Sequence, residues 1–471
     1  SGSFRFSYDG NYGVQAIYKT LDMLSGDAFR QVARERGISI LDKGYQTDFT
    51  DEITRMGWIQ NHHIAFGGGS ESAYYRASLG LLDQEDVLRT SDYRNYMAKI
   101  DITQHAFQRR LRFDVGVMGS VSKNQNPVDL QKTFYSAAAF NPTFPNHKNK
   151  EGGWDQVTTA SWITNPLAWI ETDDEEANAY FNAHIKAEWA ITPYLKLQAF
   201  GSYLYNVIDR GQYLPTTVWA HGQAYRAERK VEDYVGNILL NYNRAFNAHK
   251  VDLVGLAEVQ QREISGFYTT VTNFTTDKYS YHNLQAGASR PWEGTGSYYE
   301  NPRLASFLGR FNYVYADRYV LNVNARMDAS SKVGANHRWG FFPSISGAWN
   351  VCQEDFMKGV KWISNLKLRM GYGLSGNQDA IDSYSSLQSV MPNGIVLSGS
   401  DPMVTMGIIR NANPDLKWEI KRTFNVGVDA AFWGGRAIMT FDYYRAITDD
   451  MLYQYDVSVP PFAYNKLLAN L

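Results

Sequence analysis

The sequence predicts an all-β fold, an antiparallel up-and-down transmembrane β-barrel, and three observations support this prediction. Apolar and polar residues alternate along many short segments, which is the period of a strand with one apolar and one polar face. Short and long connections follow one another in turn along the chain. Aromatic residues make up 14% of the 471 residues, and Tyr and Trp suit positions that are apolar at one end and wet at the other.

The clearest alternation lies between residues 319 and 376. In the first run the apolar face holds Leu321, Val323, Ala325 and Met327, and the polar face holds Asn322, Asn324, Arg326 and Asp328. The turn GANHR separates it from a second run whose apolar residues are Trp339, Phe341, Phe342 and Ile345. In the third run the apolar residues are Leu366, Leu368, Met370 and Tyr372. We expect the apolar faces to meet lipid and the charged faces to form a pairing network in a hydrated lumen, involving Lys186, Glu188, Arg326, Asp328 and Arg369.

The rest of the chain repeats this pattern. One helix is expected within residues 21–37, with Ser25 as its N-cap. Adding the three runs above to the other segments gives about fifteen strands. The other predicted strands are 4–15, 58–66, 73–88, 96–103, 110–121, 181–189, 195–203, 235–243, 251–261, 306–315, 424–432 and 439–443.

The lengths of the connections alternate. Short turns are expected at GGGSES, near Gln108, at ITPY, NAHK and ADR, and at Gly434–Gly435, with a one-turn helix in 353–365 as the exception. The long connections are 16–56, 123–177, 207–229, 264–300 and 376–416. This segregation matches the short periplasmic turns and long extracellular loops of outer-membrane barrels. A soluble sandwich or propeller has no reason to segregate loop length by end.

Composition excludes several other classes. The formal charge of -2 does not suggest a nucleic-acid partner. A single cysteine, Cys352, rules out an internal disulfide framework and disfavours a cysteine metal site. The sequence has no apolar run of about 18 residues, as a transmembrane helix would need. It also shows no catalytic constellation, so we do not predict an enzyme.

Three long motifs and the opening segment resemble the SusC/RagA family of TonB-dependent outer-membrane transporters of Bacteroidetes. They are ARMDASSKVGANHRWGFFPSISGAWNV, LKLRMGYGLSGNQ and NPDLKWEIKRTFNVGVDAAFWGGRAIMTFDYYRAITDDML, with FRFSYDGNYGVQ similar to the family's first barrel strand. The resemblance implies a barrel of about 22 strands occluded by an N-terminal plug. It also implies a SusD-like lipoprotein that delivers glycan or peptide ligands, and uptake driven by TonB through a short box ahead of the plug.

The expected domain organisation follows from this resemblance. Residues 1–471 are expected to form part of the barrel domain, about fifteen of about 22 strands. The N-terminal plug and the closing strands at the C-terminal side are expected to be absent from this chain, since an odd strand count leaves edges that hydrocarbon does not tolerate. The function expected is outer-membrane import of nutrient oligomers.

Two sets of residues are candidate sites in the long loops. The first is an acidic run that includes Asp173, Asp174, Glu175 and Glu176, whose oxygens are weak candidates for a structural Ca²⁺ site. It lacks the spacing and the Gly of a known calcium loop, and charge runs are usually solvated. The second set consists of five tryptophans in the long loops: Trp154, Trp162, Trp169, Trp219 and Trp292. Loop tryptophans of this kind can stack on sugar rings or anchor a partner protein. The alternative is that they pack within the loops or anchor the loops in the outer leaflet.

Two further motifs have structural explanations. Gly371, Gly373 and Gly376 match GxGxxG, but no βαβ unit follows, so we interpret them as small residues on a crowded barrel wall. His62 and His63 are adjacent in a strand and point to opposite faces, so they cannot chelate one metal as a pair, and a lone lumen histidine is expected. The alternative function is a large soluble or surface-attached β-rich glycan-binding protein, which exposed apolar rows with aromatic belts at both ends would exclude.

Overall fold

Seventeen strands form one antiparallel sheet in the computed structural model, which describes residues 2–157 and 163–471. The strands of the whole chain are β1 (Gly2–Gln15), β2 (Gly57–Gly69), β3 (Ala73–Glu85), β4 (Asp92–Ala106), β5 (Leu111–Asn126), β6 (Asp173–Ala190), β7 (Leu195–Leu214), β8 (Gln223–Phe246), β9 (His249–Phe274), β10 (Gly287–Ser289), β11 (Thr295–Glu300), β12 (Arg303–Tyr315), β13 (Tyr319–Ser330), β14 (Trp339–Asn350), β15 (Ile363–Asn377), β16 (Ser389–Ser398), β17 (Asp401–Arg410), β18 (Glu419–Phe432), β19 (Ala437–Asp449), β20 (Leu452–Asp456) and β21 (Lys466–Asn470). The helices are α1 (Gly26–Glu35), α2 (Phe49–Ile53), α3 (Leu130–Ala139) and α4 (Pro166–Trp169).

Fifteen of the strands build a continuous up-and-down wall, as predicted. Each of these strands pairs with the next wall strand along the chain, from β1 to β19. The short strands β10 and β11 pair with the distal half of β9. Two separate hairpins lie outside the wall, β16–β17 in the long connection between β15 and β18, and β20–β21 after β19. Within the part of the chain that the structure describes, no ladder joins β1 to β19.

The outward face of the wall is apolar and exposed. One row of paired residues crosses four neighbouring strands as Ala257, Phe307, Met327 and Phe341, and Phe307 and Phe341 are 50% and 58% exposed. Large aromatic residues flank these rows at both ends of the strands. Near the short turns they include Trp189, Tyr194, Tyr315, Tyr319 and Trp433, and toward the long loops Tyr12, Trp58, Tyr96, Tyr234 and Trp339. Exposed rows between two aromatic belts exclude a sandwich of paired cores, and they match a wall that faces lipid.

The short turns lie where the sequence places them, but two long connections are shorter than predicted. The link between β7 and β8 covers only residues 215–222, and β9 continues to Phe274. Here the strands extend beyond the apolar band, the strict apolar–polar alternation stops, and cross-strand ion pairs such as Arg226 with Asp209 occur. Without alternation these strand ends resemble loops in the sequence.

The predicted helix is present as α1, and the Ser25 hydroxyl accepts a hydrogen bond from the Ala28 N–H as its N-cap. The expected helical link after β14 consists of two short 3₁₀ turns, Val351–Gln353 and Asp355–Met357. Phe342, an apolar residue of the second run, does not share the outward face with Phe341. It lies on the inner face at 6% exposure and packs edge-on against Trp418.

No helix in residues 2–157 or 163–471 is both long and apolar enough to cross a membrane.

Candidate functional site

The inner face of the wall is polar and its charges are paired. Asp114 on β5 accepts hydrogen bonds from Arg112 Nε at 2.9 Å and from Thr103 Oγ1 at 2.6 Å. Its second oxygen lies 3.0 Å from Lys186 Nζ on β6, an ion pair that is not an aligned hydrogen bond. The Asp114 side chain is only 14% exposed. Such a group needs these partners because a partly desolvated carboxylate is costly when unpaired.

The predicted pairing network is confirmed by further ion pairs around the same face. Each joins a basic and an acidic group on one strand or on neighbouring strands. They are Glu188 with Lys196 (2.9 Å), Arg262 with Asp233 (2.6 Å), Arg310 with Asp252 (2.9 Å), Arg326 with Asp328 (2.8 Å) and Arg369 with Asp429 (2.7 Å). The wall therefore presents a charged but internally compensated surface to its lumen, which suits a hydrated interior.

The long loops fold into cores of their own at one end of the wall. The first core joins α2, α3 and α4 through apolar side chains, and Trp154 packs against its edge. Its buried members are Phe49, Ile53, Leu88, Ala137, Phe140, Phe144 and Leu167. Main-chain hydrogen bonds tie the loop between β1 and β2 to the loop between β5 and β6. The Tyr45 and Thr47 N–H groups donate to the carbonyls of Thr143 and Pro142 at 3.1 and 2.9 Å.

Two further loop cores continue around the rim. One contains Tyr213, Ala224, Val271, Phe274 and Tyr281, and the other contains Val333, Phe342, Ile381, Leu416 and Trp418. Hydrogen bonds connect neighbouring cores, from Gln156 Nε2 to the Thr217 carbonyl at 3.3 Å and from Ser383 Oγ to Glu300 at 2.6 Å. The described loops thus form a connected rim above the polar lumen.

Two hubs of this rim were not found from the sequence. Asp277 accepts from Tyr213 OH at 2.7 Å and from the Thr216 N–H and hydroxyl at 2.9 and 2.6 Å. Burial, followed by the bond to Asp277, raises the pKa of Tyr213 above its ordinary value. Asn411, 6% exposed, donates to the carbonyls of Tyr464 and Lys466 at 2.6 and 2.8 Å and so holds the β20–β21 hairpin. No local pattern marks either residue, because their partners are about fifty residues away or more.

The predicted tryptophans occupy different environments. Trp169 is 5% exposed on α4 beneath Lys132, whose Nζ lies 4.7 Å from the ring centroid. Trp154 is partly buried, with Lys148 Nζ 5.6 Å from its ring centroid. In contrast, Trp219 and Trp292 are 51% and 37% exposed. Trp162 lies outside the described residues. Packing within the loops thus accounts for Trp154 and Trp169, while Trp219 and Trp292 remain available for contacts.

The acidic run was predicted to lie in a loop, and this placement is wrong because Asp173–Glu176 begin β6. Successive strand residues point to opposite faces, so the four carboxylates do not converge. Asp174 pairs with Arg210 at 2.7 Å, Glu175 pairs with Lys123 at 2.7 Å, and Asp173 accepts from Ser280 Oγ at 2.6 Å. Within the described residues no group of three or more acidic, His or Cys side chains is placed to hold a metal ion. The arrangement gives no support to the calcium prediction.

The two remaining motifs have structural roles. A Cβ on Gly373 would lie 2.8 Å from the Ser344 Cβ, and one on Gly376 would lie 2.1 Å from the Phe342 ring. The glycines therefore fit a crowded wall, as predicted. The adjacent histidines point to opposite faces, as predicted. His62 lies on the outward face, with its Nδ1 2.7 Å from Tyr8 OH, and His63 alone of the pair faces the lumen.

Comparisons with known proteins agree with this architecture. Residues 119–470 match the family described as TonB dependent receptor-like, beta-barrel. Over 94% of its length the chain is 28% identical to TonB-dependent receptor P3 of Formosa agariphila, and covers 45% of that protein. Over 95% of its length it is 28% identical to TonB-dependent receptor SusC of Bacteroides thetaiotaomicron, and covers 47% of it. The chain thus spans about half the length of these relatives.

Solved structures show the same fold. All of the chain superposes on 57% of the transporter chain in the structure of the RagAB peptide transporter, with a TM-score of 0.80 at 20% identity. The "open-open" state of the RagAB peptide importer gives a TM-score of 0.82 at 18% identity, with the same coverage. At this identity the likeness establishes the fold alone.

Proposed function

Because the chain belongs to the TonB-dependent receptor-like β-barrel family of outer-membrane transporters, we propose that it forms the wall of an active importer for nutrient oligomers, either glycans or peptides. In this proposal a SusD-like lipoprotein delivers the ligand at the long-loop end, and TonB supplies the energy. The relatives' names support the class of function, since one is SusC and another is a peptide importer. The family consists of transporters rather than enzymes.

One observation carries the proposal most directly, the charge-paired inner wall beneath a connected rim. A lumen-facing carboxylate such as Asp114 has three partners within 3.0 Å. Compensated charges leave the lumen hydrated without a strong net field, which suits the passage of polar oligomers. The rim places exposed aromatic side chains, Trp219 and Trp292 among them, where a ligand or a partner arrives.

We also propose that a longer protein supplies the remaining parts of the barrel. The edge strands β1 and β19 carry unpaired backbone groups within the described sheet. Such groups cost several kcal/mol each in hydrocarbon, so further strands are needed to close the wall. A plug domain would then occupy the polar lumen.

Uptake by cells tests the function. We expect a strain that carries the full-length gene to accumulate a fluorescent oligosaccharide or oligopeptide from its medium. This accumulation should stop when the gene or TonB is deleted. Deletion of the gene for the SusD-like lipoprotein should reduce uptake at low ligand concentration. Uptake that persists without TonB would contradict energised import, and unchanged uptake without this gene would contradict any transport role.

A further inference from the structure

An amphipathic cavity opens on the outward face of the wall between β7 and β14. It measures about 760 Å³ and its floor is apolar, with Val259, Ala305 and Ala329 in one row of cross-strand partners. Val259 is 62% exposed. Two arginines, Arg303 and Arg338, stand at the end of the cavity nearest the long loops. The cavity is thus apolar below and basic above.

The position of the arginines matches the membrane surface. On β12 the outward residues run from Tyr315, in the aromatic belt near the short turns, to Ala305 on the cavity floor. These eleven residues, Ala305 to Tyr315, equal the length of strand that crosses the hydrocarbon, about 9–11 residues. Arg303 is the next outward residue and therefore lies at the outer headgroup level.

Both arginines are held in place by main-chain hydrogen bonds. The Arg303 N–H donates to Ser331 Oγ at 2.9 Å, and the Arg303 carbonyl accepts from the Ser331 N–H at 3.0 Å. The Arg338 carbonyl accepts from the Ser330 N–H at 3.1 Å. The two arginines therefore flank the end of β13. Among residues 2–157 and 163–471, neither guanidinium has a carboxylate within ion-pair distance, whereas Arg262, Arg310, Arg326 and Arg369 of the same wall all do.

Neighbouring carboxylates are already occupied. Glu232 pairs with Lys230 at 2.8 Å and accepts from Tyr203 OH at 2.8 Å. Glu263 accepts from the Gln261 and Asn301 amides at 2.9 and 3.4 Å. A second outward cavity, lined by Arg55, Arg94 and Lys123, differs in that Asp83, Glu85 and Asp92 balance its charge. Uncompensated positive charge is the property that distinguishes the Arg303–Arg338 cavity.

We propose that this cavity binds an anionic, phosphate-bearing lipid of the outer leaflet. Its acyl chains would cover Val259, Ala305 and Ala329, and its phosphate would accept hydrogen bonds from the Arg303 and Arg338 guanidinium groups, which match phosphate oxygens in geometry and charge. The proposal is independent of the transported substrate. It assigns to this part of the wall an annular lipid that ties β12, β13 and β14 together at the membrane surface.

Lipid retention tests the proposal. The full-length protein is reconstituted in phosphatidylcholine nanodiscs that contain diphosphoryl lipid A, and bound lipid is counted by native mass spectrometry. Because each basic side chain near a membrane surface contributes about 1 kcal/mol, we expect R303Q/R338Q to retain lipid A roughly thirty-fold less tightly than wild type. The matched control is R94Q, on the same face but paired with Asp83 at 3.1 Å, and it should retain lipid A as wild type does.

Further measurements test the basic end and the apolar floor of the cavity separately. Dephosphorylated lipid A should not be enriched, since the arginines would have no anion to bind. Glucosamine phosphate without acyl chains should not be retained either. Ala305→Phe, which fills the floor but keeps both arginines, should lose lipid A even if R303Q/R338Q fails to fold. Equal retention by R303Q/R338Q, by Ala305→Phe or of either truncated ligand would overturn the proposal.

Discussion

The Oδ2 atom of Asp114 on β5 lies 3.0 Å from Lys186 Nζ on β6, on the inner face of the wall, and the guanidinium of Arg112 contacts the other oxygen of the same carboxylate. We expect Asp114→Asn to leave these two cations facing each other in a partly desolvated site, at a cost of about 1–3 kcal/mol of unfolding free energy. The loss of unfolding free energy is measured by heating the protein in detergent and monitoring the folded fraction by its faster migration on a denaturing gel. Lys186→Met in the Asp114→Asn background should recover part of it.

The control for this change lies two rows of residues away. Asp101 pairs with Lys99 at 2.9 Å, but both side chains are more than 40% exposed. Exposed pairs contribute only about 0–1 kcal/mol. Equal destabilisation by Asp101→Asn and Asp114→Asn would show that burial of the pair does not matter.

The first long loop should loosen in acid. The Arg30 side chain donates to Asp42 at 2.8 and 3.0 Å, and these bonds, helped by the Gly44 N–H, lower the pKa of Asp42 to about 2. A lowered carboxyl pKa gives stability that is complete above the ordinary value of 3.8 and is lost as the pH falls through about 2. We expect pepsin to cut residues 16–56 faster at about pH 2 than at about pH 4.

The comparison for the acid experiment is Asp42→Asn, which removes the titrating group. Its cleavage rate, corrected for the pH dependence of pepsin on a denatured substrate, should be high at both pH values. If wild type and Asp42→Asn show the same pH dependence, this ion pair does not hold the loop.

Substituting a buried and an exposed tryptophan should have different effects, on loop stability in the first case and on ligand or partner binding in the second. Trp169→Ala leaves a cavity in place of a side chain that is 5% exposed, and should destabilise the loop by about 3–5 kcal/mol. Trp219→Ala, at 51% exposure, should leave stability unchanged and weaken ligand or partner binding. The destabilisation by Trp169→Ala is measured by proteolysis of the loop, and the weaker binding by Trp219→Ala is measured by uptake at low ligand concentration. Normal uptake by Trp219→Ala would remove Trp219 from the contact surface.

The wall could be predicted from sequence because a single physical rule governs it. Between Arg303 and Asn350, one face must meet lipid and the other a hydrated lumen, so alternation persists in every strand. The distal ends of β7, β8 and β9 escaped prediction because strict apolar–polar alternation stops there. The same absence of alternation placed Asp173–Glu176 in a loop although they begin β6.

The rim could not be predicted because its contacts are distant in sequence. Thr143 Oγ1 donates to the Leu41 carbonyl at 3.2 Å across about a hundred residues, and no local pattern specifies such a pair. For Trp154 and Trp169 the sequence left ligand contact and packing within the loops both open, because loop tryptophans carry no sign of burial. Once the loops fold together, both side chains pack within the rim.

The assignment of the two faces can be tested at adjacent residues. Ile238 is 58% exposed on the outward face at mid-strand, and its neighbour Asn237 points inward and donates to Glu258 at 3.1 Å. Ile238→Arg places a charge in hydrocarbon and should cost about 2–4 kcal/mol. Asn237→Arg can pair with Glu258 and should be tolerated. Folding from urea into lipid vesicles measures both, and since the two changes add the same side chain, equal effects would mean that the wall does not separate lipid from lumen at this row.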